Sequence, residues 1–195
     1  MGSKPVISDR GWRRGTCRAA AVVAVLALAS FAGAGCGGDD AATDSEKAAD
    51  AEILNAVLAQ ELTAVDAYTR GLPLLRGRFL AVGREFHAQG QEHVDAITKA
   101  IRGLGGETEA EASELDNPDL KSQDDFLAFA YELENAALLS YLEAAPRLAT
   151  PAPRSFATSL AANHAQHLVV LRQGLGAGLA ASVPEAFEPG DLPPP

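Results

Sequence analysis

One spacing occurs twice in this chain. Glu61 is followed seven residues later by Tyr68, and Glu134 seven residues later by Tyr141; His93 lies 32 residues past Glu61, and His167 lies 33 past Glu134. Each of these carboxylates and imidazoles sits inside an apolar stripe at three- and four-residue steps, which places it on the inner face of a helix. A buried carboxylate is costly unless something pairs with it. Two carboxylates and two imidazoles that converge on one interior are most simply satisfied by a metal ion.

The stripes define four helices. Helix 1 opens near Thr43, whose spacing to Glu46 fits a capping box. It carries Leu54, Val57, Leu58, Glu61, Val65 and Tyr68 on one face and stops at Gly71 and Pro73. Helix 2 runs from about 78 to 102 with Phe79, Val82, Phe86, Gly90, His93, Ile97 and Ile101, and Gly103-Leu104-Gly105-Gly106 ends it. A polar, acidic segment over 107–121 is longer than most loops in compact domains and suits the long crossover of a bundle. Helix 3 opens at Ser122, with Asp124 and Asp125 in its first turn, carries Phe126, Phe129, Ala130, Leu133, Glu134, Ala137 and Tyr141, and ends before Pro146. Thr150-Pro151 starts helix 4, whose stripe is Phe156, Leu160, His164, His167, Leu171 and Leu175. No stretch alternates with period two over a useful length. The expected fold is all-α, two helical hairpins of similar pattern joined by a crossover.

Composition agrees with this and narrows the function. Hydrophobic residues make up 47% and aromatics 6% of the chain, so the core is built mainly from Ala and Leu, which favours packed helices. Past residue 36 the chain has 11 basic and 25 acidic residues. A net charge of that sign argues against nucleic-acid binding; it fits a solvated surface.

The N-terminus reads as an export signal. Arg10 to Arg18 is basic, Ala19 to Ala32 is unbroken and apolar, and Gly33-Ala34-Gly35-Cys36 is small. The apolar run is shorter than the ~20 residues of a membrane span. Small residues before Cys36 resemble a bacterial lipobox, with Gly33 where a leucine is usual. That resemblance implies cleavage before Cys36, acylation of its sulfur with palmitate-type chains, and a protein anchored to the extracytoplasmic face of the cell membrane. The alternative is cleavage after Ala34 and a secreted protein. Arg13-Arg14 hints at twin-arginine export, without the apolar residues that normally follow. With both cysteines, Cys17 and Cys36, in or beside this segment, the domain has no disulfide framework. The expected organisation is a signal peptide over 1–35, a lipidated cysteine and flexible tether over 36–45, a bundle over 46–178, and a Pro-rich disordered tail over 179–195.

The phrases AQELTAVDAY, FHAQGQEHV, LENAALLSYL and LAANHAQHLVVL, one per helix, resemble the ferritin-like di-iron carboxylate bundles. In that superfamily helices 1 and 3 each give a glutamate, and helices 2 and 4 each give Glu-x-x-His. By position, Glu61 and Glu134 match the single glutamates, and His93 and His167 match the histidines. The resemblance implies a ferritin-like four-helix bundle and, for an enzyme, oxidation chemistry at iron or manganese. Two positions depart from it. Gly90 and His164 stand where the family has its metal-bridging glutamates, and Glu92 is rotated ~100° from His93 and does not substitute.

The remaining set is Glu61, His93, Glu134, His164 and His167. Imidazole with carboxylate suits Fe, Mn or Zn, and also Ni or Cu. Without bridging carboxylates the set fits one ion better than two, with Gly90 leaving space beside His93. The competing reading is a metal-free vestigial core, Glu61–His93 and Glu134–His167 being hydrogen-bonded pairs in an envelope protein acting as an interaction or structural module. Tyr68 and Tyr141 are expected as packing aromatics with tied hydroxyls, His87 as an exposed residue. Gln89 and Asn163 occupy equivalent places in the two halves, as donors supporting the ligands or as boundary polar residues. The sequence identifies no protein partner. It fits a monomer or small oligomer rather than an iron-storage cage, for which a tethered chain with a Pro-rich tail is a poor subunit.

Overall fold

A computed structural model describes residues 42–113 and 120–183, all within the compact unit 40–195. The signal segment, Cys36, most of the tether, the middle of the crossover and the end of the tail lie outside the described residues. Four α-helices form the fold: α1 (Asp44–Gly71), α2 (Gly77–Gly103), α3 (Gln123–Ala144) and α4 (Pro151–Gly174). Among the described residues there is no strand, and no helix is long and apolar enough to cross a membrane.

The two hairpins are built alike. α1 and α3 each open with a capping box, Thr43 with Glu46 and Ser122 with Asp125. Each satisfies two of the amide N–H groups that a helix start leaves unpaired. α1 and α3 each end in a short 3-10 turn holding a proline, Leu72–Leu74 and Ala145–Arg147. α2 and α4 each end on a glycine of positive φ, Gly105 (82°) and Gly176 (97°). Behind each glycine the amides fold back in the same pattern. Gly106 donates to Ile101 and Gly105 to Arg102, as Ala177 donates to Arg172 and Gly176 to Gln173, which is the Schellman arrangement.

The first helix of each hairpin holds the start of the other hairpin's second helix. Asp50 of α1 is fully buried, and its two oxygens accept from the amides of Ala149 and Thr150, both at 2.8 Å. Gln123 of α3 accepts from the amide of Arg76 at 3.0 Å, just before α2. These bonds fix the directions: α4 runs parallel to α1, and α2 and α3 run against it. The crossover follows the same logic. Asn55 donates to the Glu107 carbonyl (2.9 Å) and accepts from the Glu109 amide (3.0 Å), and Thr63 accepts from the Ser113 amide (2.9 Å). Residues 107–113 are therefore laid along α1 from its middle toward its C-terminus, carrying the chain back to where α3 begins.

Leu54, Ile97, Ile101, Phe126, Tyr131 and Leu168 are fully buried at the centre. Close approach of the hairpins depends on Gly71: a Cβ there would lie 1.9 Å from Phe126 Cε2. The chain does not leave the bundle at 178. Residues 179–183 form a turn in which the Ser182 hydroxyl is buried, donates to Leu179 (2.8 Å) and accepts from Gln173 (3.2 Å). The loss of helical periodicity there marks a turn; residues 184–195 lie outside the described residues.

Candidate metal centre

Residues from all four helices meet in the middle of the bundle. Glu61 comes from α1, His93 from α2, Glu134 from α3, and His164 and His167 from α4. All five are buried. The sequence-predicted set is thus brought together whole. His87 is outside it, half-buried with Nε2 3.0 Å from Thr69 Oγ1, and Glu92 is exposed.

His164 is the centre of the cluster. Its Nδ1 lies 2.7 Å from Glu134 Oε2 and its Nε2 lies 2.8 Å from Glu61 Oε1. Carboxylate oxygens only accept, so both ring nitrogens donate and the ring is an imidazolium. Burial alone would lower its pKa, but the bonds to Glu134 and then Glu61, with their charges, overcome it and push His164 up to about 10. The carboxylates respond in the opposite sense. Burial would raise Glu61, yet its bond to His164, and then the His93 imidazole 3.4 Å away, hold it down to about 2. Glu134 is likewise held well below the usual carboxylate range by His164 and His167 against the effect of burial.

The tyrosines cross between hairpins. Tyr68 donates to Glu134 Oε1 at 2.8 Å, and Tyr141 donates to Glu61 Oε1 at 2.6 Å. Burial first, then the neighbouring carboxylate charge, raises both phenols well above their ordinary value, so they stay protonated and serve as donors. His167 sets Nδ1 3.0 Å from Glu134 Oε2 and pairs through Nε2 with Gln89 Oε1 at 2.8 Å, while its ring stacks on Phe86 at 3.7 Å. Asn163 donates to the same Gln89 oxygen at 3.3 Å. Gln89 thus meets His167 through its oxygen, as an acceptor and not as the donor expected from its position, and Asn163 reaches Gln89 and no histidine or glutamate of the cluster.

The two halves are unequally satisfied. Every polar atom of Glu134, His164 and His167 has a partner. In the other half, Glu61 Oε2 and His93 Nδ1 have no hydrogen-bond partner among the described residues; His93 Nδ1 stands 3.4 Å from Glu61 Oε1. Gly90 borders this half, and a Cβ there would meet only Val65 Cγ2, at 3.1 Å. A cavity of about 10 Å³ touches all five residues, Glu61, His93, Glu134, His164 and His167, with Gly90 also on its wall, and is at the size limit for one water molecule. Two groups can offer three ligand atoms within 4.8 Å of one another: Glu61 with His93 and His164, and Glu134 with His164 and His167.

A family profile for the ferritin-like domain matches residues 49–177. The chain belongs to the ferritin-like domain family. Solved structures agree on the fold. Ferritin-like di-iron carboxylate proteins from Bacillus anthracis match with a TM-score of 0.57 at 19% identity, over 67% of this chain and 98% of theirs. A conserved hypothetical protein from Mycobacterium tuberculosis gives 0.63 at 20% identity, over 68% and 94%. The bacterioferritin of Desulfovibrio desulfuricans, whose structure describes a di-iron site, gives 0.62 at 17% identity, over 68% and 81%. No curated protein sequence matches.

Within the ferritin-like frame the donor set does not fit two bridged ions. Gly90 offers no ligand and His164 is an imidazole, so neither bridging carboxylate exists. It does fit one ion. Glu61 Oε2 and His93 Nδ1 are buried, adjacent ligand atoms without partners, a state that costs free energy until something binds them.

Proposed function

We propose that this ferritin-like protein is exported, held to the extracytoplasmic face of the cell membrane through lipidated Cys36, and binds a transition metal ion in its core through the Glu/His cluster. The observation that carries the metal is the unpartnered Glu61 Oε2 beside the unpartnered His93 Nδ1, both deep in the bundle. Carboxylate with imidazole suits Fe, Mn or Zn. Iron or manganese there would supply oxidation chemistry. The protein's own part is to bury the ion, fix the imidazoles and exclude bulk water. The basic, apolar and small-residue order before Cys36 supports export and anchoring.

Elemental analysis of the purified domain tests the metal: about one equivalent of ion is expected, and none in the double variant His93→Ala/His167→Ala. Labelled palmitate incorporated by the full chain and lost in Cys36→Ser tests the anchor; label-free protein in the culture medium would instead support the secreted form. A metal-free interaction module is favoured by one specific observation, the His164 imidazolium that already pairs with both carboxylates. It predicts a wild-type domain without metal whose melting temperature does not move on adding Fe(II), Mn(II) or Zn(II).

A further inference from the structure

We propose that the cluster is a mononuclear His2Glu site made by Glu61, His93 and His164, and that Glu134, His167 and Gln89 hold no metal but position His164. This deepens the metal-binding reading and rests on it. Three geometric facts separate the halves. First, the fully buried ligand atoms without a hydrogen-bond partner among the five residues are Glu61 Oε2 and His93 Nδ1. The other buried orphan beside the cluster is Asn163 Oδ1, a neutral amide oxygen. Second, His164 Nδ1 is held by Glu134 Oε2 at 2.7 Å, so Nε2, on the Glu61 side, is the nitrogen that would face an ion, giving up its proton and its 2.8 Å bond to Glu61 Oε1. An imidazole that gives its far N–H to a carboxylate while its near nitrogen takes the metal is the usual support for a metal-bound histidine. Third, Gly90 stands in this half, one turn before His93, where a Cβ would meet only Val65, and the small cavity shared by all five residues borders it, so one small ligand atom can complete the coordination there.

Among the described residues, the other half has no unpartnered ligand atom and no glycine facing the cluster. Glu134 accepts from Tyr68, His164 and His167, and His167 is tied at both nitrogens. An ion there would have to displace bonds on every one of its ligand atoms, whereas in the first half it displaces only the bond from His164 Nε2 to Glu61 Oε1 and meets Glu61 Oε2 and His93 Nδ1 unpartnered. Two imidazoles, one carboxylate and an open position form the donor set that holds non-haem Fe(II) or, as His2Glu, catalytic Zn(II). The ligand class is therefore one divalent first-row ion carrying one small exchangeable ligand. Its site differs in number and in donors from a carboxylate-bridged pair.

The test is titration of the folded full-length domain with Fe(II) without oxygen and, separately, with Zn(II), followed by gel filtration and elemental analysis. The wild type is expected to retain one ion per chain. Glu61→Gln and His93→Gln are expected to retain none while keeping wild-type circular dichroism. His167→Gln is expected to retain one. Glu134→Gln is expected to retain one with affinity weaker by about 10–100-fold, the usual cost of removing a histidine's supporting carboxylate. Two ions per wild-type chain, or loss with His167→Gln and retention with His93→Gln, overturns the His2Glu assignment and leaves metal binding standing. No ion in the wild type overturns both.

Discussion

The two hairpins carry the same parts at nearly the same spacing, and they differ at one decisive place. Glu61, Tyr68, Gln89 and His93 answer to Glu134, Tyr141, Asn163 and His167. Between the last two members of each set the first hairpin has Gly90 and the second has His164. The result is that one imidazole serves both halves. It bonds the carboxylate of its own hairpin and the carboxylate of the other, and the first hairpin is left with two buried ligand atoms that have no hydrogen-bond partner. A duplicated scaffold can therefore hold an unequal site without bending a helix: removing one side chain makes room, and replacing another supplies the charge.

Replacing His164 should have the largest effect on this inequality. His164→Leu strands two buried carboxylates and is expected to cost about 3–5 kcal/mol by urea unfolding, as breaking a buried ion pair does. His93→Leu removes no well-formed bond and is expected to cost only about 1 kcal/mol. Equal costs would mean the halves are equivalent after all. The same ion cluster sets a pH profile. His164 is raised from 6.5 to about 10, so its contribution is complete below pH 6.5 and is lost as pH climbs through about 10. Glu61 is lowered from 4.5 to about 2, so its contribution is complete above pH 4.5 and disappears as pH falls through about 2. Melting temperatures are expected to be highest between pH 4.5 and 6.5, and the alkaline decline should vanish in His164→Leu.

Smaller effects extend the comparison to the reciprocal caps. Asp50 makes two bonds from full burial, while Gln123 makes one from a half-exposed position. Asp50→Ala is expected to lower stability by about 2 kcal/mol and Gln123→Ala by about 0.5, on the scale of capping substitutions; similar losses would dissolve the distinction. At the opening itself, Gly90→Ala brings a methyl to 3.1 Å from Val65. This mild crowding is offset by better helix propensity, so a stability change within about 1 kcal/mol is expected. Thermal unfolding of the metal-free domain measures it.

The helices and the meeting of five polar residues were legible because burial on a helix leaves a periodic trace. Thr43, Ser122 and Thr150 marked the starts, and Gly105 and the prolines marked stops, for reasons local to the chain. What stayed hidden depends on reach across the bundle. His164 and His167 at i, i+3 share a face, but spacing cannot show that His164 touches both glutamates while His167 touches one. Tyr68 and Tyr141 each sit two turns from a glutamate of their own helix, yet each hydroxyl goes to the opposite hairpin. Asp50 left no signal, because a carboxylate that caps a distant helix looks like any acid near a helix start. The turn at 179–183 was missed for the opposite reason: small residues with no periodicity read as tail, although Gln173 and Arg172 bind the turn back to α4.

The fastening of 107–113 to α1 bears on whether two copies could exchange hairpins. A hairpin pair joined by a long connector can trade its second hairpin with a neighbour's, forming an intertwined dimer with the same interior. Here Asn55 and Thr63 fasten the connector to its own first helix. A trade would first have to break these three hydrogen bonds, an added cost for exchange that closure of the chain on itself does not carry.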